Sequence, residues 1–267
     1  MAKEAWQLQI FKRSIKKKEK LRLLQQNLDV DSDMVILDLG CAQGILSFFL
    51  RQKGGFWVHT DQDFENLKTT QSLLKRNLLQ LETGILPFKT QAFDLVVSLD
   101  YLEHLEDDEQ CLEEIMRILK KNGQLVLATP RTGKFLILNK LRPVLGLKLE
   151  FYGHKREGYR LKELEKMLNK AHFQVVRQKT FSRFFSEFLE LLLNLFYVKF
   201  LSRRIQGKGR LRDGHIRPSS YQEFKSQKKS FKIYSFFYPI FWLFSRLDKV
   251  LFFQKGYSVI VWARKIL

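Results

Sequence analysis

Cysteine is scarce in this chain, with only Cys41 and Cys111 among 267 residues. Two thiols cannot build a framework of bridges, and reduced, cytosolic cysteines are expected. Neither of the two most apolar C-terminal stretches runs for 18 residues without a polar break, so a spanning helix is not expected. The basic N-terminus lacks an apolar core and a cleavage site, so no secretory signal is expected. Also missing are zinc-finger spacings and RNP-type runs. Acid is in short supply too. The chain has 28 Asp and Glu against 47 Lys and Arg, a formal net charge of +19.

What the chain does have is a run from Val35 to Gly44, Val-Ile-Leu-Asp-Leu-Gly-Cys-Ala-Gln-Gly. An apolar segment ends in Asp38, a short loop carries Gly40 and Gly44, and a helix-compatible stretch, Ile45 to Leu50, follows. This order predicts a buried strand, a tight ligand-cradling turn and a helix start. Glycine lets the backbone approach a ligand and adopt turn angles that other residues avoid. The loop has too few glycines for a dinucleotide fingerprint, and no Lys-Ser/Thr pair follows it as in a P-loop. A nucleotide-like cofactor of another kind is implied.

A second strand is expected over Phe56–Asp61, and its terminal acid lies 21 residues after Gly40. A carboxylate about 20 residues beyond a glycine loop can accept hydrogen bonds from ribose hydroxyls. The segment Leu81-Glu82-Thr83-Gly84-Ile85-Leu86-Pro87-Phe88 comes next. Phe93–Ser98 reads as a strand leading into Asp100-Tyr101-Leu102-Glu103-His104. Leu112, Ile115, Met116 and Leu119 mark a helix face, Asn122-Gly123 a stop, and Gln124–Pro130 a further strand. A helix over Leu161–Ala171, a strand over Phe173–Val176 and a final strand over Gly256–Lys265 complete the pattern.

Over roughly residues 33–180 these segments resemble, in order and spacing, the class I S-adenosylmethionine-dependent methyltransferases of the ubiquinone-biosynthesis O-methyltransferase type. The resemblance implies an α/β fold: a Rossmann-like seven-stranded sheet, mostly parallel, with the last strand antiparallel and helices on both faces. It implies S-adenosyl-L-methionine as cofactor. Gly40, Cys41, Ala42 and Gly44 would wrap its methionine part, with Asp38 near the amino group. Asp61 and the adjoining Gln62 would lie at the ribose, Glu82 and Ile85 at the adenine, and Asp100 beside the cofactor. Alternating strands and helices independently imply a parallel sheet with ligands at the strands' carboxyl ends, where Gly40, Asp61, Glu82 and Asp100 fall. The expected units are a basic amphipathic helical segment over 1–30, a cofactor-binding core over 31–180, a basic aromatic helical insertion over 181–254 and the final core strand over 255–267.

Methyl transfer from a sulfonium is an in-line displacement, in which positioning supplies much of the rate. His104 is the candidate base for an acceptor hydroxyl. The same segment also reads as a structural or cofactor-shaping turn. Tyr101, His154 and Tyr159 are candidate acceptor contacts. No metal is favoured; if one is used, Asp100, Glu103 and His104 are its candidate ligands. His59 is expected to be packed within its strand, and His172 to be exposed.

The charge is uneven. Residues 1–30 carry 8 basic and 3 acidic side chains, residues 31–180 carry 22 and 20, and residues 181–267 carry 17 and 5. Excess charge therefore lies in the flanks, where 14 of the 24 phenylalanines also occur in residues 181–267. Phe181, Phe184, Phe185, Phe188, Leu192, Leu195, Phe196 and Phe200 form an apolar stripe opposite Arg183, Glu187, Glu190 and Asn194. Arg203, Arg204, Lys208, Arg210 and Arg212 follow, then a second apolar stretch from Ile233 to Phe244. Such helices can lie in an anionic membrane interface. Trp6, Leu8, Ile10, Phe11 and Ile15, among Lys12, Arg13, Lys16, Lys17 and Lys18, are expected to join that surface. Packing on the core or a second subunit is the alternative, and nucleic acid is disfavoured because the aromatics form dense stripes rather than isolated stacking residues. The expected protein is a methyltransferase, peripheral on the cytoplasmic membrane face, acting on a lipid-like or lipid-linked acceptor, with O-methylation favoured. A soluble metabolite or RNA as acceptor, and a noncatalytic cofactor-binding scaffold, are the alternatives. Oligomeric state stays open.

Overall fold

A computed structural model describes residues 5–82, 84–201 and 220–266. The strands are β1 (Val35–Leu39), β2 (Phe56–Asp61), β3 (Leu78–Gln80), β4 (Phe93–Leu99), β5 (Leu119–Pro130), β6 (Phe173–Phe181) and β7 (Ser258–Lys265). They form one sheet in the order β3-β2-β1-β4-β5-β7-β6. β1 through β5 pair in parallel, and β7 runs antiparallel to both β5 and β6. The expected fold is the observed one.

Alternation along the strands feeds two apolar layers. Leu37, Leu39 and Val96 enter one, with Leu112 and Ile115 of α5 (Asp108–Ile118) and Leu164 and Leu168 of α8 (Leu161–Lys170). Ile36, Leu95 and Val97 enter the other, with Leu24 and Leu28 from the end of α2 (Ile15–Asn27) and Leu50 of α3 (Ile45–Leu50). Strands buried on both faces read as continuous apolar runs, which is why β1 and β4 stand out in the sequence.

Two strand boundaries differ from expectation. Leu119 opens β5 rather than closing α5, and Asn122-Gly123 lies inside the strand. Phe93 pairs with Leu119, but Leu95 pairs with Gln124, so three extra residues are accommodated there and Asn122 takes φ +63°. A glycine inside a strand often marks such an irregularity rather than an end. β6 extends to Phe181 because β7 pairs with it that far. Its outer half carries Arg177, Gln178 and Lys179, a polar edge without the alternation that reveals a strand, and charged edges resist pairing with other chains.

The N-terminal helices pack on the core rather than standing free. In α1 (Trp6–Lys12), Trp6 and Phe11 are buried; Trp6 stacks on Phe224 at 5.7 Å and Phe11 meets Phe49 at 4.8 Å. The expectation that these side chains join an outer surface is therefore corrected: they find aromatic partners within the chain. Between β6 and β7 lie α9 (Phe184–Phe196), a π-helical turn (Tyr197–Leu201), α10 (Tyr221–Ser226) and α11 (Lys228–Ser245). Arg203, Arg204, Lys208, Arg210 and Arg212 lie outside the described residues. Asp248, from the turn after α11, accepts the backbone N–H groups of Arg183 (3.0 Å), Phe185 (2.7 Å) and Ser186 (3.2 Å). A carboxylate at these orphan N–H groups caps α9 and complements its dipole. Phe185 and Phe188 of α9 meet Phe244 of α11 at 5.1 and 6.5 Å.

Candidate functional site

A cavity of about 650 Å³ opens at the carboxyl ends of β1, β2, β4 and β5. Its size falls within the usual range for small-ligand sites. Asp38, Gly40, Cys41, Ala42, Asp61, Gln62, Asp100, Tyr101, Glu103, His104 and His154 line it.

The glycine loop is tied down from below. The N–H groups of Gly40 and Cys41 both donate to the Thr60 carbonyl, at 2.9 and 2.8 Å. Thr70 donates its hydroxyl to the Ala42 carbonyl at 2.7 Å. Gly40 has φ +82°, and a Cβ there would sit 2.4 Å from the Tyr101 ring. Glycine is therefore required twice at position 40, by the backbone angle and by the ring packed over it. Gly44 supports the loop without lining the cavity. It has φ +72°, and a Cβ there would meet Thr70 at 2.6 Å.

Asp38 is buried and accepts from Ser47, with the His59 ring 2.9 Å away. Asp61 accepts the Ala42 N–H at 2.7 Å, the Asp63 N–H at 3.0 Å and the Asn66 amide at 3.1 Å. Burial raises its carboxyl pKa above the usual aspartate value, in spite of those donors. A carboxylate offers about four acceptor positions, so capacity for a further donor remains. Asp100, at φ +53°, is ion-paired with Lys20 of α2, whose ammonium is buried. Its side chain opens into the cavity, whose enclosing walls desolvate it and would raise the carboxyl, but Lys20 outweighs them and holds it below the ordinary value.

A second group lies deeper in the same cavity. Glu103 is fully buried; Thr129 donates to its Oε2 at 3.2 Å, and its Oε1 has no hydrogen-bond partner among the described residues. Burial and the nearby Asp100 raise its pKa to about 8. The His104 Nδ1 donates to the Gly153 carbonyl at 2.8 Å, since a carbonyl can only accept. In the neutral ring this leaves the Nε2 lone pair free of that bond. The His104 and His154 rings meet edge to face at 4.8 Å, and burial and His104 lower the His154 pKa to about 3. Candidate ligand atoms of Glu103, His104 and His154 lie within 4.8 Å of one another.

Glu82 is exposed and Ile85 is 76% exposed; neither lines the cavity. Tyr159 is also outside it, buried with its hydroxyl 2.6 Å from Asp108. His59 is buried in β2 and His172 is exposed, as expected. Both cysteines are free and buried.

Sequence reasoning missed the cavity's other wall. Lys16 and Lys20 of α2, Arg142 of α6 (Ile137–Val144), Tyr152 of α7 (Leu149–Tyr152), and Glu187, Glu190 and Asn194 of α9 line it. Lys16 donates to the Glu187 Oε2 at 3.1 Å, Ser182 donates to the same oxygen at 2.7 Å, and Arg142 pairs with Oε1. Burial would raise the Glu187 carboxyl, but Lys16 and Arg142 hold it below its ordinary value. Arg142 and Asn194 both donate to the Tyr152 hydroxyl, at 3.2 and 3.3 Å. The available signal was the polar stripe Glu187-Glu190-Asn194 itself. It faces the cavity, whereas the sequence alone suggested only the solvated side of a surface helix.

Residues 37–127 match the family model described as a methyltransferase domain. This stretch is a methyltransferase domain. It spans β1 to most of β5, and so holds the glycine loop, Asp61 and the Asp100–His104 segment. The chain is 26% identical over 126 residues to the ubiquinone biosynthesis O-methyltransferase of Pelagibacter ubique, covering 46% of this chain and 51% of that protein. It is 31% identical over 121 residues to the malonyl-[acyl-carrier protein] O-methyltransferase of Hamiltonella defensa, covering 45% and 46%. The chain thus spans about half the length of these curated relatives.

Among solved structures, an S-adenosylmethionine-dependent methyltransferase from Methanosarcina mazei superposes with TM-score 0.54 at 15% identity, over 90% of this chain and 95% of that one. The [4+2]-cyclase SpnF superposes with TM-score 0.57 at 15% identity, over 93% and 80%. These likenesses concern the fold alone, which hosts more than one chemistry.

The domain implies S-adenosylmethionine, and the residues present fit it. The cavity offers acids for a ribose diol and an amino group, a glycine turn with close backbone approach, and the Lys20 ammonium near Asp100. The adenine end fits less well, because Glu82 and Ile85 stand outside the lining. For a metal held by Asp100, Glu103 and His104 the fit is poor, because Lys20 already neutralises Asp100.

Proposed function

We propose that the protein transfers a methyl group from S-adenosylmethionine to a hydroxyl of a lipid-like or lipid-linked acceptor at the cytoplasmic membrane face. The observation that carries this reading is the meeting, in one cavity, of the glycine loop with Asp38 and Asp61 on one side and His104 with His154 on the other. The domain match and the O-methyltransferase relatives support the same chemistry.

In this reading Asp38, Gly40, Cys41, Ala42, Asp61, Gln62 and Asp100 hold the cofactor, which supplies an electrophilic methyl group when bound. Glu82 and Ile85 would serve it only from the cavity's rim. His104 takes the acceptor's proton. Its Nδ1 bond to Gly153 fixes the ring and presents Nε2 as the base. His154, kept neutral, borders the base without adding positive charge. Tyr101 covers the loop, and Tyr152, Arg142 and Asn194 offer hydrogen bonds to a polar acceptor head group. Buried Tyr159 holds the loop behind His154 through Asp108 and touches no acceptor. The step balances: the hydroxyl oxygen gains the methyl carbon as the carbon–sulfur bond breaks and leaves its electron pair on a neutral thioether, and the hydroxyl proton passes to His104.

The test is radiolabelled methyl transfer into membrane lipid extract, with the labelled product identified. Wild-type protein should label a lipid-soluble product, and His104→Ala should lower turnover about 10²- to 10⁴-fold with S-adenosylhomocysteine affinity kept. Cofactor binding with no label in lipid extract, but label in soluble metabolites or RNA, would replace the acceptor. Binding with no label in any extract would favour the scaffold, and no binding would remove all three readings.

A further inference from the structure

The outward face of α11 has no partner within the described chain. Ile233, Phe236, Ile240 and Leu243 recur at spacings of three, four and three, Leu247 continues the series in the turn that follows the helix, and all five are 43–79% exposed. At 3.6 residues per turn they share one stripe. Beyond it, Val250, Phe252 and Phe253 are 67%, 79% and 69% exposed. The opposite face is engaged: Tyr238 is buried and takes the Lys18 ammonium at 2.8 Å, and Tyr234 donates to the Arg13 carbonyl at 2.7 Å; Phe244, at the margin of the stripe, meets α9. The exposed stripe is therefore on an anchored helix.

The charge around this stripe has one sign. Residues 225–255 contain seven Lys or Arg and one acid, Asp248, giving 7 − 1 = +6. Asp248 is buried in its capping role. Lys228, Lys229 and Lys232 stand exposed at one end of α11, with Arg246 and Lys249 exposed just beyond the other.

We propose that the outer face of α11, extended by Phe252 and Phe253, docks in the interface of an anionic lipid bilayer. The inference gives the membrane part of the reading above a location, and rests on that reading only in tying the membrane to the acceptor. Aromatic and aliphatic side chains enter the acyl boundary while flanking cations meet lipid phosphates. A second copy of this chain is the poorer occupant, because mating the face with itself would bring two +6 segments together with no exposed acid between them. Nucleic acid would leave the apolar stripe unused. Among the described residues no helix is long and apolar enough to cross a membrane.

The full chain carries its own reporter. Trp242 is 44% exposed, whereas Trp6, Trp57 and Trp262 are 7%, 4% and 7% exposed. The experiment is vesicle flotation with tryptophan fluorescence, using phosphatidylcholine alone and an equal mixture with phosphatidylglycerol. The protein should float with the mixed vesicles, its emission shifting to the blue, and bind phosphatidylcholine much more weakly. Replacing Lys228, Lys229 and Lys232 by Gln should weaken binding about fivefold per cation. The double substitution Phe236→Glu with Ile240→Glu should lower partitioning at least tenfold, with S-adenosylhomocysteine affinity by calorimetry unchanged as proof of an intact fold. The proposal is overturned by failure to float with anionic vesicles, or by flotation that the double substitution leaves intact. It is equally overturned by a dimer, or a nucleic-acid complex, that the double substitution abolishes while vesicles are ignored. Vesicle binding without methyl transfer would sink the enzymatic reading and leave this one standing; transfer without vesicle binding would do the reverse.

Discussion

Lys20 and Asp100 form a lopsided pair: the lysine side chain is 3% exposed and the aspartate 47%. Removing the acid strands a buried ammonium, whereas removing the lysine leaves a carboxylate that cavity water can reach. Asp100→Ala should therefore cost about 3–5 kcal/mol of stability, and Lys20→Met clearly less, in urea unfolding. Glu103 makes a pH prediction. Its raised pKa means the folded state holds a proton that the unfolded state has released, between the ordinary value of 4.5 and about 8. Its contribution to stability is complete below that window and lost as pH rises through it. Glu103→Gln should flatten the fall in melting temperature from pH 5 to pH 8. At Gly40 the positive φ and the Tyr101 contact act together, so Gly40→Ala should lower both melting temperature and S-adenosylhomocysteine affinity, the latter by calorimetry.

Among the elements, α9 is anchored to three others by one buried side chain. Glu187 joins α2, α6 and the end of β6 through Lys16, Arg142 and Ser182. Glu187→Ala leaves two cations facing each other, and should destabilise the protein by about 3 kcal/mol in denaturant while exposing α9 to limited proteolysis. The sequence made β1 and β4 legible because strands covered on both faces are largely apolar, and β2 legible through Phe56-Trp57-Val58 and the acid that closes it at a short distance from the glycine loop. It also located the glycine loop, Asp61 and His104, which sit at strand ends where spacing is short and constrained. The outer half of β6 was not legible, since its pairing is set by β7 across a long separation. Nor was the inward turn of Glu187 and Asn194, because a stripe's polarity says that it avoids apolar packing but not whether it meets solvent or a polar cavity. Lys16 and Lys20 were hidden for a related reason: a basic helix reads as exposed until its acidic partners, Glu187 and Asp100, are found far along the chain.

For the whole molecule, ligand linkage offers a compact check. S-adenosylhomocysteine at a hundred times its dissociation constant should add about 2.7 kcal/mol to the unfolding free energy, provided the unfolded chain does not bind it. Vesicle binding should also fall with added salt, since exposed cations are screened over about 8 Å at physiological ionic strength. The sheet has one antiparallel seam. β7 lies between β5 and β6, and β6 bonds to the sheet only through it. Everything from α9 to Gly256 must therefore be made before β6 can dock. During synthesis, the parallel half of the sheet can form around the glycine loop while β6 waits at its edge, unpaired. Placing β7 closes a long loop, a slow step for non-local contacts. The nascent sheet is thus closed by β7, and a ribosome stalled before residue 258 would hold a cofactor loop beside an unfinished sheet.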